Sequence, residues 1–337
     1  MVSVIIPVYN VAPYLRACLD SIIAAVVKVD GECERLIDGF AIEAICVDDG
    51  STDGSSEVLD EYAERVDWIK VIHQENQGVS VARNRALDVA KGDWVLFLDA
   101  DDMLAHETFA YLSAAAKVCG DDVGMLAFGS VRSKDAFPAQ AEPFLATDCK
   151  MLFYDDFVKQ GYHRRELWEG CYRRAEFGGL RFRIGLTMGE DRLYQAEVLA
   201  QVKMIALIPS RLYFYRMRSG SAVNSGMSIK KLIDRVTYRL AADEVLDRAN
   251  RRPVDDERVH ALFMTECFSR DYFVLNKADR KIIRPFWDKA LTHYLNSKYA
   301  PVWCRFASWI ALALPFEWVR FLLFRVPFWV KRKGIHR

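Results

Sequence analysis

The stretch GDWVLFLDADD (92–102) sets the fold class, because a short apolar run that starts at Trp94 ends on Asp99, Asp101 and Asp102 with no basic residue beside them. Bounded in this way, the run reads as a buried strand whose end carries charge. Working outward, the same alternation recurs. SVIIPVY (3–9) is apolar and β-branched, and Asn10 and Pro13 then open an apolar-periodic stretch to about Val27, predicting a strand followed by a helix. AIEAICVDD (41–49) predicts a strand, GSSEVLDEYAERV (54–66) a helix, WIKVIHQ (68–74) a strand and VSVARNRALDVAK (79–91) a helix. After DWVLFLD (93–99) come a helix over HETFAYLSAAAKV (106–118) and a strand over DVGMLAF (122–128). Strands alternating with helices of this length predict an α/β chain with a Rossmann-like, mostly parallel sheet covered by helices on both faces.

Beyond that block the pattern changes. RSKDAFPAQAEPFLATDC (132–149) has two prolines and little periodicity and predicts a loop, residues 151–216 are mixed, and 229–296 reads as helix throughout. The expected division is a domain over 1–228, a helical extension over 229–297 and a basic amphipathic tail over 298–337. There is no internal repeat and no low-complexity run.

With 337 residues, 52% of them hydrophobic, the chain can bury a large core, and its 46 basic and 46 acidic residues give no global field toward nucleic acid. Charge is distributed unevenly, since eight basic residues and one acid, Glu317, lie from Lys298 onward. A basic tail on an acidic body predicts different surroundings for the two ends. Eight cysteines without a C-x-x-C pair read as reduced structural thiols, and six histidines without paired spacing argue against a histidine zinc site. The first residues are strand-like and show no secretory signal.

In an open parallel sheet, ligands bind beyond the carboxyl ends of the strands. Three of these strand ends, Tyr9-Asn10, VDDGSTDGS (47–55) and FLDADD (97–102), carry groups able to hold a ligand. Asp99, Asp101 and Asp102 crowd like charges, which a hard cation such as Mg²⁺ or Mn²⁺ would relieve together with substrate phosphate oxygens. The plain alternative is that Asp101 or Asp102 caps the helix expected near His106. VDDGSTDGS suits a grip on a base and ribose, and equally a turn and helix cap. In NQGVSVARN (76–84), Arg83 could face an anion at the rim or form a surface salt bridge. GEDRLYQAEVLAQV (189–202) places Glu190 and Asp191 at a helix start, where the helix dipole favours acids without any function and where a general base could equally sit. YFYRMRSGSAVNS (213–225) could close over a diphosphate with Arg216 or Arg218 as counter-charge, or be a strand and its turn. No G-x-G-x-x-G or P-loop signature is present, which disfavours the usual dinucleotide and P-loop classes.

Taken in order and spacing, SVIIPVYN, VDDGSTDGS, NQGVSVARN, GDWVLFLDADD and GEDRLY resemble glycosyltransferase family 2, over about residues 1–225. The resemblance implies a GT-A fold and an inverting transfer of one sugar from a nucleotide-diphosphate donor, with UDP the expected nucleotide and Mn²⁺ or Mg²⁺ the expected cofactor. By position it implies that Pro7 and Tyr9 line the base and that Asp49, with Asp48 beside it, reads it. Asp99 and Asp101 match the D-x-D pair, with Asp101 the direct metal ligand, and Asp191 matches the general base. Arg83 resembles a donor-pocket residue, and Arg216 is expected to join that pocket. Two departures stand out: the chain between Ser21 and Val47 is longer than the usual pattern, with KVDGECERLIDGF (28–40) filling the gap, and the Q-x-x-R-W signature of processive members is absent.

In the tail, Trp303, Trp309, Trp318 and Trp329 lie amid apolar sequence broken by Arg305, Glu317, Arg320 and Arg325, and the longest uncharged run, FASWIALALPF (306–316), is too short to span a bilayer. Tryptophans, arginines and the KRK cluster at 331–333 predict helices lying on an anionic leaflet, against the alternative of a hairpin packed on the core or a second subunit. The expected setting is therefore the inner face of a bacterial membrane, with a glycan or lipid-linked acceptor such as growing lipopolysaccharide. Two competing classes are a catalytically degenerate scaffold of the same fold and a sugar-phosphate nucleotidyltransferase. The acid cluster argues against the first, and PVYNVAP (7–13) in place of a glycine-rich loop argues against the second.

Overall fold

The computed structural model describes residues 1–26, 36–37, 40–134, 148–161, 166–218, 228–251, 276–297 and 302–313. Most of the insertion at 28–40, the middle of the predicted 132–149 loop and the tail beyond Ala313 lie outside the described residues. The chain divides into two compact units, one of residues 1–186 and 190–225 and the other of 187–189 and 226–337.

The first unit starts with β1 (Val2–Val8) and α1 (Ala12–Ala25), then β2 (Leu36–Ile37) and β3 (Phe40–Asp48). α2 (Ser55–Arg65), β4 (Ile69–His73), α3 (Val79–Val89), β5 (Trp94–Phe97), β6 (Met103–Leu104), α4 (Thr108–Val118) and β7 (Val123–Ser133) follow. Apart from the two-residue strands β2 and β6, which the sequence does not predict, these match the alternation read from hydrophobic period, with ends shifted by a few residues. The mixed stretch resolves into β8 (Lys150–Phe153), α5 (Tyr154–Lys159), a 3₁₀ turn at Leu167–Glu169, β9 (Gly170–Arg173), α6 (Arg174–Phe177), α7 (Glu190–Leu199) and β10 (Met204–Arg216).

β1 lies between β3 and β5 and is parallel to both, and β3 is parallel to β4. β9 enters antiparallel between β5 and β7, so beyond β5 the sheet becomes mixed, with β7 and β10 parallel to each other. The parallel register aligns the carboxyl ends: Val8 faces Asp48, and Ile5 faces Phe97 just before the aspartates. Successive strands leave β1 in opposite directions, and that switch opens a crevice where loops can receive a ligand.

Beneath the rim, Val2, Val4, Ile6 and Val8 of β1 are buried with Leu15, Leu19 and Ile22 of α1, Ala44 and Cys46 of β3, and Leu96 of β5. The valine, leucine and isoleucine side chains among these each contribute about 1.5–3 kcal/mol when fully buried, which anchors the strands whose ends carry the site. A second apolar group, Phe97, Tyr172, Phe182 and Tyr194, packs edge-on and face-on, with Phe182 and Tyr194 stacked at 4.3 Å.

Two capping readings are corrected here. α4 begins at Thr108 behind Glu107, with no side-chain cap, and Asp102 is committed to β10 instead. α2 starts after Gly54, while Asp53 accepts from Ser55 and from the amide of Ala12. Asp102 lies beside β10, which supplies a phenol and a backbone amide, whereas Asp53 joins two helix starts by accepting from Ser55 of α2 and from the Ala12 amide of α1.

In the second unit α8 (Ile229–Arg248), α9 (Lys277–Asn296) and α10 (Val302–Ala313) are helical, α9 packing on both others. Ser228 and Asn276 cap the first two through their side chains. No helix among the described residues is long and apolar enough to cross a membrane. Cys18, Cys46, Cys119, Cys149, Cys171 and Cys304, the cysteines among the described residues, are free thiols.

Candidate active site

At the end of β1 the backbone turns through Asn10, whose φ of 50° is left-handed, a conformation asparagine tolerates better than most residues. Its side chain accepts from the amide of Thr52 at 2.8 Å, and its own amide donates to Ser51. The loops after β1 and β3 are thereby tied together. Tyr9, beside this turn, is 51% exposed, and Pro7 is half-buried within β1 opposite Val47. An exposed ring on a rigid strand end is available to stack on a flat ligand.

Asp48 and Asp49 are both buried and both engaged. Asp48 accepts from the amide of Ser51 and the hydroxyl of Ser56 and pairs with His73 Nδ1 at 2.9 Å. Burial opposes ionisation of Asp48, but these hydrogen bonds outweigh it and hold the carboxyl below its ordinary value. Asp49 accepts from Gln74 Nε2 and from the amides of Gln77 and Gly78. These donors take three of roughly four lone-pair positions on a carboxylate, leaving one on Oδ2. Gly50 permits this close approach, since its φ is +75° and a Cβ there would meet the amide nitrogen of Asn76 at 2.9 Å.

The three carboxylates after β5 separate into distinct roles. Asp102 is 1% exposed, accepts from the Tyr213 hydroxyl at 2.6 Å and the Arg216 amide at 2.8 Å, and so anchors the loop to β10. Burial, with the charges of Asp99 and Asp101, pushes its pKa up to about 8. Asp101 is raised by burial and by Asp99, opposed by the Arg218 guanidinium, whose Nε lies 2.5 Å from Oδ2. Asp99 offers Oδ1 to Arg83 Nη2 at 2.8 Å.

Arg83 is 6% exposed and also donates Nη1 to Glu190 Oε1 at 2.9 Å, at the first residue of α7. Burial alone would lower its pKa, but Asp99, Glu190 and Asp191 keep the guanidinium charged. Asp191, next in the helix, is half-buried and accepts from the amide of Arg192. Glu190 is raised by burial, which Arg83 opposes. Arg83 thus brings the D-x-D strand end and the start of α7 to one place, whereas Asp48 and Asp49 form a second cluster between β3, β4 and the start of α3.

Arg216 donates Nε to the carbonyl of Asp101 at 3.0 Å. With Tyr14, Lys134, Met217 and Arg218 it lines a depression of about 350 Å³. Both guanidiniums lie over the Tyr14 ring, at 5.4 and 5.2 Å. Such a basic, aromatic depression beside two carboxylates can hold an anion bridged to them by a cation. No group of three or more metal-ligating side chains occurs among the described residues. Asp99 and Asp101 still suit a hard divalent ion of the Mg²⁺ or Mn²⁺ kind, because such ions take one or two carboxylates and complete their shell with water and phosphate oxygens. The desolvated Asp101, repelled by Asp99 and already drawn to a guanidinium, has the electrostatics such an ion relieves.

Sequence reading passed over Gln74 and Tyr213 as site residues, and it left Glu190 as one of two acids at a helix start. Gln74 and Tyr213 look like strand residues in sequence, and only Glu190 carried a signal, its position beside Asp191.

Comparison with known proteins bears on the family and the fold. The family model for glycosyl transferase family 2 matches residues 3–200. The chain is 28% identical over 256 residues to EpsJ, an uncharacterized glycosyltransferase of Bacillus subtilis, covering 74% of this chain and 67% of that protein. Curated bacterial relatives at 27–32% identity are spanned over 31–74% of their own length. Among solved structures, TarS residues 1–349 of S. aureus in complex with UDP-GlcNAc superposes with a TM-score of 0.66 at 20% identity, over 90% of this chain and 82% of that one. The mannosyltransferase PcManGT of Pyrobaculum calidifontis, solved with GDP-Man and Mn²⁺, gives a TM-score of 0.50 at 20% identity, over 100% and 88%. The sheet, the rim and the matched motifs therefore lead to one conclusion: the chain has the GT-A fold and belongs to glycosyltransferase family 2.

Proposed function

We propose that this chain transfers a single sugar, with inversion, from a UDP-sugar to a hydroxyl of a glycan or glycolipid in bacterial surface polysaccharide synthesis. The observation that carries the reading is the double ion pair of Arg83, which joins Asp99 at the D-x-D strand end to Glu190 at the start of the helix bearing Asp191. It ties the helix start that carries Asp191, a half-buried carboxylate, to the strand end that carries Asp99, which supports Asp191 as the base. The glycosyltransferase EpsJ and the mannosyltransferase PcManGT support the class of reaction, and the nucleotide sugars named with TarS and PcManGT support the class of donor.

In this reading Tyr9 stacks on the base, Pro7 backs it, and Asp49, with Asp48 beside it, reads it. Asp191 accepts the proton of the acceptor hydroxyl as that oxygen bonds to the anomeric carbon, and the bond from that carbon to the diphosphate oxygen breaks. Arg216 and Arg218, which line one depression, take up charge on the departing nucleotide diphosphate. Mn²⁺ or Mg²⁺, held by Asp101 and Asp99, would supply further counter-charge to that leaving group. Contact with the inner face of the membrane is supported by Phe306 and Trp309 of α10, which are 61% and 56% exposed and stack on each other, and by the basic sequence that follows.

Calorimetric titration with UDP, GDP, CDP and TDP, each with Mn²⁺ and with EDTA, tests the donor site. One nucleotide should bind only with metal, and Asp101→Ala should abolish it. Absence of binding under every condition would turn the reading toward a scaffold that kept only the fold.

A further inference from the structure

We infer that Glu190 is a positioning residue which acts through Arg83 to set both the cation affinity of Asp99 and the placement of Asp191. This rests on the reading above, in which Asp99 and Asp101 hold the cation and Asp191 is the base.

A carboxylate as buried as Glu190, beside another acid, is costly unless it is paired. Its partner is one arm of a guanidinium whose other arm holds Asp99, and the two bonds measure 2.9 and 2.8 Å. Because the guanidinium is a rigid planar fork, a shift of either carboxylate moves the other. Arg83 is itself held in place. Its guanidinium lies 5.2 Å over the Phe182 ring, and the next residue, Asn84, exchanges hydrogen bonds with both the amide and the carbonyl of Phe182. Its buried Nε has no hydrogen-bond partner among the described residues. The side chain is thus placed for its two terminal nitrogens.

Two consequences follow for chemistry. Arg83 takes Oδ1 of Asp99 and leaves Oδ2 as the oxygen that residue can offer a cation. Glu190 in turn shares the positive charge of Arg83, so Asp99 is only partly neutralised. With Glu190 uncharged, Arg83 would bind Asp99 alone and compete more strongly with a cation. The start of α7, which carries Asp191, would also be tied less strongly to the strand end, by a neutral acceptor in place of a charged one.

The test is a double-mutant cycle on the full chain, read as kcat and donor KM, together with Mn²⁺ titration followed by the EPR signal of the free ion. Glu190→Gln should weaken Mn²⁺ binding and, assayed at saturating Mn²⁺, should lower kcat by about tenfold or more, the size of coupling expected for contacting residues, with donor KM little changed. Arg83→Met should lower kcat and tighten Mn²⁺ binding, because it removes a positive charge from beside Asp99. In the Arg83→Met background, Glu190→Gln should cost less than about twofold more in kcat. If Arg83→Met does not fold, Arg83→Lys takes its place in the cycle, since a point charge cannot hold both carboxylates. Losses in kcat that simply multiply, with Mn²⁺ affinity unmoved by Glu190→Gln, would overturn the inference and make Glu190 an independent contact. Full turnover by Asp191→Asn would remove the base reading instead, while the opposed Mn²⁺ shifts of the Arg83 and Glu190 variants would still stand.

Discussion

The hydroxyl of Tyr213 donates to Asp102 at 2.6 Å and accepts from the amide of Asp99 at 3.2 Å, so a single phenol on β10 fixes the loop that carries all three rim aspartates. The pair spans 111 residues of sequence and is fully buried. Tyr213→Phe leaves a buried carboxyl short of a donor, and the expected loss is about 1–3 kcal/mol. Urea unfolding of both proteins measures it, as a lower midpoint at unchanged slope.

Asp191→Asn should keep nucleotide binding and lose transfer by roughly 10²–10⁴-fold, the usual share of a positioned general base. Calorimetry and turnover on one preparation separate the two quantities, and undiminished turnover would take Asp191 out of the role.

Gly50→Ala should destabilise the chain by about 1–3 kcal/mol, because a left-handed backbone is strained for alanine and the added Cβ would meet the Asn76 amide at 2.9 Å. The displaced segment leads into the amides that hold Asp49, so nucleotide affinity should fall along with thermal stability. Thermal melts and nucleotide titration of the variant check both effects.

His73 carries a pH dependence whose sign can be worked out. Its hydrogen bond to Asp48 raises its pKa, burial opposes this, and Asp60 adds to the rise. A histidine raised in the folded state contributes stability that is fully present below its unfolded value of about 6.5 and is lost as pH rises through the folded value. The stability gap between the wild type and His73→Gln should therefore be widest in mild acid and close in mild alkali. A gap independent of pH would mean that the ring contributes only packing.

Thiol labelling gives a separate check on the core. Cys18, Cys46 and Cys171 are buried, and burial pushes the Cys46 thiol up to about 12. None of the three should react with iodoacetamide in the native protein, and all should react in urea, as followed by peptide mass spectrometry. Only the thiolate is the nucleophile, and burial suppresses both its formation and its access.

Sequence alone determined the parallel core and its charged rim. Hydrophobic period and turn residues are local signals, so β1, β3, β4 and β5 with their helices could be read within a few residues, and parallel strands then had to bring Tyr9, Asp48 and Asp99 to one edge. The antiparallel insertion of β9 was not legible, because its four residues carry no period long enough to fix a direction. The division of labour among carboxylates was equally hidden. Sequence allowed Asp102 to be a cap, Arg83 a surface ion pair and Asp49 an open ligand. Only the tertiary structure decided that Asp102 belongs to Tyr213, that Arg83 bridges Asp99 and Glu190, and that Asp49 is largely taken up by Gln74, Gln77 and Gly78. The physical reason is that a charged group takes the partner that best replaces its lost water, and in a folded chain that partner can lie 107 residues away, as Glu190 does from Arg83.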